Sequence, residues 1–164
     1  MIVLDTTGGW QTDDCRHLDD ETAIPATGAV TVSLARWEKE IESLVARGDV
    51  GVRIENTVDV LQHADSITQA PRIVLSFPGF ADGRAYSQAA LLRQRLNYRG
   101  ELRASGDAVV RDQLHNMLRS GFDAFALRDD QNPESCAKAI SDFSMAYQPA
   151  ADKTTIVRRL RFTN

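Results

Sequence analysis

The residues best suited to chemistry in this sequence are two arginines, each set among glycine and aspartate at a boundary between a strand-like and a helix-like segment. The first lies in Phe77-Pro78-Gly79-Phe80-Ala81-Asp82-Gly83-Arg84-Ala85-Tyr86-Ser87. Two glycines permit close backbone approach, the following helix start presents free N–H groups, and Arg84 adds a full positive charge, which together suit an oxyanion. The competing structural account makes Asp82 the helix cap, with Arg84 paired to it. The second cluster is Glu101, Arg103, Ser105, Gly106 and Asp107. Neighbouring parallel strands lie about 4.8 Å apart, so Arg84 and Arg103 can converge on one anion, with Gly83 and Gly106 leaving room for it. Asp82, Tyr86, Ser87, Glu101, Asp107, Asp112 and Gln113 stand close enough in sequence to support such a site. Glu101 and Arg103 share a strand face, and if that face is enclosed they need partners, either each other or Arg53 and Glu55. No residue can be assigned a catalytic role from the pattern.

Several chemistries find no support. His17, His63 and His115 are not at metal-ligand spacing with each other or with cysteine, so no metal site is expected. The Gly83 loop matches neither the Walker A phosphate loop nor the dinucleotide fingerprint. Ser87 lacks a nucleophile elbow and a local base. Cys15 and Cys136 form no C-x-x-C pair and read as free thiols.

The elements that would position these residues alternate. Strands are expected at 29–34, 50–54, 72–77, 101–105 and 122–127. A helix runs from the first strand to about Arg47, with Trp37, Ile41, Leu44 and Val45 at helical spacing and Gly48 ending it. Thr57 is a candidate cap for the second helix. The third helix covers about Arg84–Leu96. Asp107 is a candidate cap for the fourth, whose stripe is Val110, Leu114, Met117 and Leu118, and Gly121 stops it. Asn132-Pro133 opens the fifth, with Cys136, Ile140, Phe143 and Tyr147 on its buried side. Residues 6–28 read as irregular turns with room for a hairpin, and 148–164 as a tail.

This pattern predicts one α/β domain over 1–164, built from about five consecutive strand–helix units on a parallel sheet. In the fourth strand Leu102 and Ala104 oppose Glu101, Arg103 and Ser105; in the second, Val52 and Ile54 oppose Arg53 and Glu55. One apolar and one polar face favour a partial barrel with helices on one side. A doubly wound, flavodoxin-like sheet is the alternative. Either the N-terminal segment or a second copy of the chain would cover the polar face, and open sheet edges point to a homo-oligomer.

The chain has 164 residues, 43% hydrophobic and 26% charged, with a net charge of −4. That balance argues for a globular domain and against nucleic-acid binding. No apolar run is long enough for a membrane span, and the N-terminus lacks a signal-peptide pattern, so the expected location is cytoplasmic.

The run from Phe77 to Phe125 resembles the bacterial family known as domain of unknown function 934. The resemblance rests on Phe80 to Ser87, Leu91 to Asp107 (L-L-R-x-R-x-x-Y-x-G-E-L-R-A-x-G-D), Asp112-Gln113 and Gly121 to Phe125. Ser120 departs from the family pattern, which often has cysteine there. The family carries the label of an oxidoreductase involved in sulfite reduction, so the resemblance implies a role near sulfite or activated sulfate. With two cysteines and no flavin or nicotinamide fingerprint, the chain is expected to hold no redox cofactor of its own. The resulting expectation is an accessory protein of assimilatory sulfate or sulfite reduction that binds an oxyanion intermediate, the reductase or another sulfur-assimilation protein. The alternative is a small lyase or isomerase acting on an anionic metabolite.

Overall fold

The computed structural model describes residues 1–141. Its strands are β1 (Ile2–Asp5), β2 (Trp10–Thr12), β3 (Arg16–His17), β4 (Val30–Ser33), β5 (Val50–Ile54), β6 (Arg72–Phe77), β7 (Glu101–Gly106) and β8 (Ala124–Leu127). They form one sheet in the order β2-β1-β8-β7-β6-β5-β4-β3. From β3 to β8 neighbours run parallel, whereas β1 runs antiparallel to both β8 and β2. The sheet is therefore mixed, not purely parallel. The added strands come from the N-terminal residues, where a hairpin needs no crossover helix. Asp5 Oδ1 fixes its turn by accepting from the backbone N–H groups of Thr7 at 2.7 Å and Gly9 at 2.9 Å.

The helices are α1 (Leu34–Lys39), α2 (Ile41–Arg47), α3 (Ala64–Ile67), α4 (Arg84–Gln94), α5 (Arg111–Ser120) and α6 (Pro133–Ser141). The expected first helix is two, broken at Glu40. Ser33 caps α1 through its side chain, and Gly48 and Gly121 end α2 and α5 in the left-handed conformation. Two expected caps are corrected. The short α3 starts after His63, so Thr57 lies well before it, and Val110 rather than Asp107 precedes α5. Asn132 does cap α6, its Oδ1 accepting from Ser135 N–H at 2.8 Å. Phe143 and Tyr147 lie outside the described residues.

Alternation along the strands sorts their side chains. Val32, Val52, Ile54, Ile73, Leu75, Leu102, Ala104 and Phe125 join Trp37, Leu92, Leu114, Met117 and Cys136 in one core. The helices thus pack on a single face. The opposite face carries Arg53, Arg72, Ser76, Glu101, Arg103 and Ser105, with a small apolar patch of Val3, Ala124 and Ala126.

That polar face is the inside of a curl. Laid flat, eight strands would hold the two edge strands about 33 Å apart. Yet Asp13, Asp14 and Cys15 alone connect the end of β2 at one edge to the start of β3 at the other. Four Cα steps span at most about 15 Å. The sheet must bend until its edges come within that reach, which makes the domain an α/β half-barrel. The three-residue strap crosses its inside.

Candidate functional site

Residues 13–17 reach the central strands at successive points. Asp13 takes both carboxylate oxygens to Nη1 of Arg103 in β7, each at 2.9 Å. The Cys15 thiol sits 3.3 Å from Nη1 of Arg72 at the start of β6. Arg16 and His17 then pair with β4, and His17 Nδ1 lies 3.2 Å from Thr31 Oγ1. The strap leaves a cavity of about 50 Å³ between itself and the strands. Asp13, Cys15, His17, Arg53, Arg103 and Ser105 supply its polar wall, and Val74 and Ala126 part of its floor.

Charge in this enclosure is dense and nearly balanced. Arg103 is buried, with 9% of its side chain exposed, and Asp13 has 7%. Arg103 Nε also donates to Glu101 Oε1 at 2.7 Å, and Glu101 reaches Arg72 at 3.0 Å. Arg53 Nε donates to Ser76 Oγ at 3.1 Å and stands 3.6 Å from Glu55. These contacts take Nε and Nη1 of Arg103, on two sides of its guanidinium, and only Nε of Arg53. Among the described residues, Nη2 of Arg103 and both terminal nitrogens of Arg53 form no hydrogen bond.

The titrating groups respond to the same surroundings. Burial pushes the Cys15 thiol above its ordinary value, against the pull of Arg72 and Arg103. Burial and then Arg53 depress His17, which keeps its imidazole neutral at neutral pH. Burial raises Glu101, but Arg72 and Arg103 outweigh it and hold the carboxyl below its usual value.

The sequence-derived residues divide between this cavity and the outer rim. Arg103 and Glu101 belong to the concave network. Arg84 opens α4 as expected, but it does not line the cavity, and its side chain is 58% exposed. It pairs with Asp82 through Nη2 at 2.6 Å and Nε at 3.0 Å, and Asp82 also accepts from its backbone N–H. Arg84 holds the Asp82 carboxyl far below the usual range. The two arginines thus have separate carboxylates. Gly83 precedes α4, and a Cβ there would meet only the Tyr86 ring, at 3.6 Å. Gly106 has φ of +120°, and a Cβ there would come 2.3 Å from Phe77 O, so this glycine serves strand–strand approach.

Tyr86 donates to Gln113 Oε1 at 2.9 Å and packs edge-on to Phe77, tying α4 to α5. Ser87, Asp107 and Asp112 are exposed. Asp107 accepts from Arg128 through its backbone oxygen. Sequence reasoning does not single out the cavity residues Asp13, Cys15 and His17 as site residues. All lie in the segment read as irregular. From the sequence Arg53 is only a charge partner for the fourth strand.

Taken together, these features define an α/β half-barrel whose concave face holds a small, half-open, arginine-lined cavity bordered by its own N-terminal strap. The chain belongs to the family described as a bacterial protein of unknown function (DUF934), whose sequence profile matches residues 51–157. That stretch contains Arg53, Ser76, Arg103 and Ser105, whereas the strap precedes it. A comparison with curated proteins finds no match. Among the described residues, no helix is long and apolar enough to cross a membrane.

Proposed function

We propose that this protein binds a small oxyanion in the concave cavity and acts as an accessory protein of assimilatory sulfite reduction, without transferring electrons itself. The observation that carries the binding half is the pair of guanidinium groups, Arg53 and Arg103, lining one cavity with unengaged N–H donors. Guanidinium donors match the oxygen spacing of sulfite, sulfate or phosphate. Ser105 adds a hydroxyl, and the His17 imidazole can donate or accept. The sulfur-pathway half rests on the label carried by the family that the sequence resembles. Arg84, on the rim and neutralised by Asp82, is not needed for this reading.

Two experiments test the two halves. Calorimetric titration of sulfite and sulfate should show binding to the parent and to Arg84→Ala, with Arg53→Gln at least about tenfold weaker, since a charge-assisted contact contributes about 1.5–3 kcal/mol. Equal affinity in all three proteins would remove Arg53 from the site. Affinity isolation from cells grown on sulfate as sole sulfur source should recover reductase subunits or other sulfur-assimilation proteins. Recovery of none, with unchanged growth of a deletion strain, would remove the pathway assignment.

A second reading, a lyase or isomerase acting on an anionic metabolite, is favoured by one observation. A neutral imidazole and a carboxylate, His17 and Asp13, line the same cavity as the two arginines. Its signature would be turnover of a carboxylate metabolite that His17→Gln abolishes while binding persists.

A further inference from the structure

The strap brings a negative charge into a cavity otherwise suited to an anion. Asp13 places both carboxylate oxygens on Arg103, at 2.9 Å, inside the enclosure that Arg53 and Ser105 also line. An anion seated on the free Nη2 of Arg103 would lie beside that carboxylate and near Glu101, which holds Nε, in a setting where like charges repel strongly. Asp13 is also held at high effective concentration, because it is anchored on either side. Its own N–H donates to Met1 O at 3.0 Å, and Arg16 and His17 are paired into the sheet.

Resting on the oxyanion reading above, we infer that Asp13 competes with the ligand for Arg103, so that the ligand is a small dianionic oxyanion. A monoanion brings the same charge as the tethered carboxylate and gains nothing by the exchange. A dianion brings a second charge, which Arg53 can meet from the neighbouring wall. Size sets the other bound. A water molecule needs about 10–15 Å³ of such space, so a cavity of about 50 Å³ takes a few water-sized groups. Sulfate, sulfite and hydrogen phosphate are on that scale, whereas a nucleoside is not. Asp13 therefore sets both the affinity and the charge class of what enters.

The test uses inorganic sulfate, inorganic phosphate, nitrate and adenosine monophosphate, titrated into the parent and Asp13→Asn. The asparagine amide oxygen still accepts from Arg103, so the substitution removes charge and keeps a hydrogen bond. Hydrogen exchange of residues 12–17 in the parent, with and without sulfate, gives a readout that needs no variant. The expected result is sulfate and phosphate binding that tightens at least about fivefold in Asp13→Asn, far weaker nitrate and adenosine monophosphate binding in the parent, and faster exchange of the strap amides when sulfate is bound. Sulfate binding in the parent with equal or weaker binding in Asp13→Asn, or strap amides that become more protected, would show that Asp13 helps build the site and would overturn the competition. Nitrate or adenosine monophosphate binding as tightly as phosphate would overturn the ligand class. Absence of any anion binding in either protein would overturn the oxyanion reading itself, and this inference with it.

Discussion

Replacing Arg103 with methionine should be among the more damaging single changes in the described domain. Asp13 has 7% of its side chain exposed, and both of its oxygens rest on Arg103 Nη1. Glu101 keeps Arg72 at 3.0 Å when Arg103 is lost, so the charge left without an ion partner is Asp13, whose Oδ1 keeps only the Cys15 backbone N–H at 3.1 Å. Breaking a buried pair on one side costs about 3–5 kcal/mol. With a urea slope of about 2 kcal/mol per M, the unfolding midpoint should fall by about 1.5–2.5 M. Removing both partners, Arg103→Met with Asp13→Leu, leaves no buried charge unpaired and should recover most of the loss. The double-mutant cycle should then give a coupling energy of about 2 kcal/mol or more. A loss under about 1 kcal/mol for Arg103→Met, or a double variant no more stable than the single, would refute the argument that the strap buries this pair.

Gly106→Ala should destabilise the domain by more than about 2 kcal/mol, read as a lower thermal midpoint, because it combines a φ of +120° with a Cβ 2.3 Å from Phe77 O. His17 contributes in the opposite sense to a histidine that gains a partner. Burial and then Arg53 depress it in the native state and outweigh the opposite pull of the Thr31 hydrogen bond, Glu55 and Asp20. The unfolded chain therefore takes the proton first, and stability should decline as pH falls below the ordinary histidine value of 6.5. Denaturation midpoints from pH 8 to 5 should show this decline, and His17→Gln should flatten it. All three residues of the β2 edge strand are exposed, Trp10 at 50%, and self-association through such an edge is expected. Light scattering at micromolar concentration should give the mass of a dimer, and a strictly monomeric mass would count against it.

The strands were legible where one face is apolar and the other is not. Leu102 and Ala104 against Glu101, Arg103 and Ser105 gave both the strand and the side on which helices pack. Helix ends were legible where local chemistry decides them, as at Gly48, Gly121 and Asn132. Thr57 and Asp107 misled because a capping side chain marks a helix start only where the chain then turns helical, and here the chain continues through turns before α3 and α5. The hairpin expected within 6–28 lies at 2–12 instead, and the antiparallel edge was not legible because Ile2, Val3 and Leu4 form one unbroken apolar run with no alternation. The site was half legible for a related reason. Arg84 and Asp82 are two residues apart, so their pairing could be weighed from sequence. Arg103 and Asp13 are separated by 90 positions, and the curl of the sheet alone brings them together. Arg53 and Arg103 share a wall because β5 and β7 both flank β6 in a bent sheet, which no local pattern announces.

The most direct test of the account is a sulfate titration followed by NMR of the arginine Nε–H and histidine ring resonances, assigned by single substitutions. Binding in the concave cavity predicts saturable shifts at Arg53, Arg103 and His17, with Arg84 unmoved. Shifts centred on Arg84, with Arg53 and Arg103 silent, would contradict it and return the anion to the start of α4.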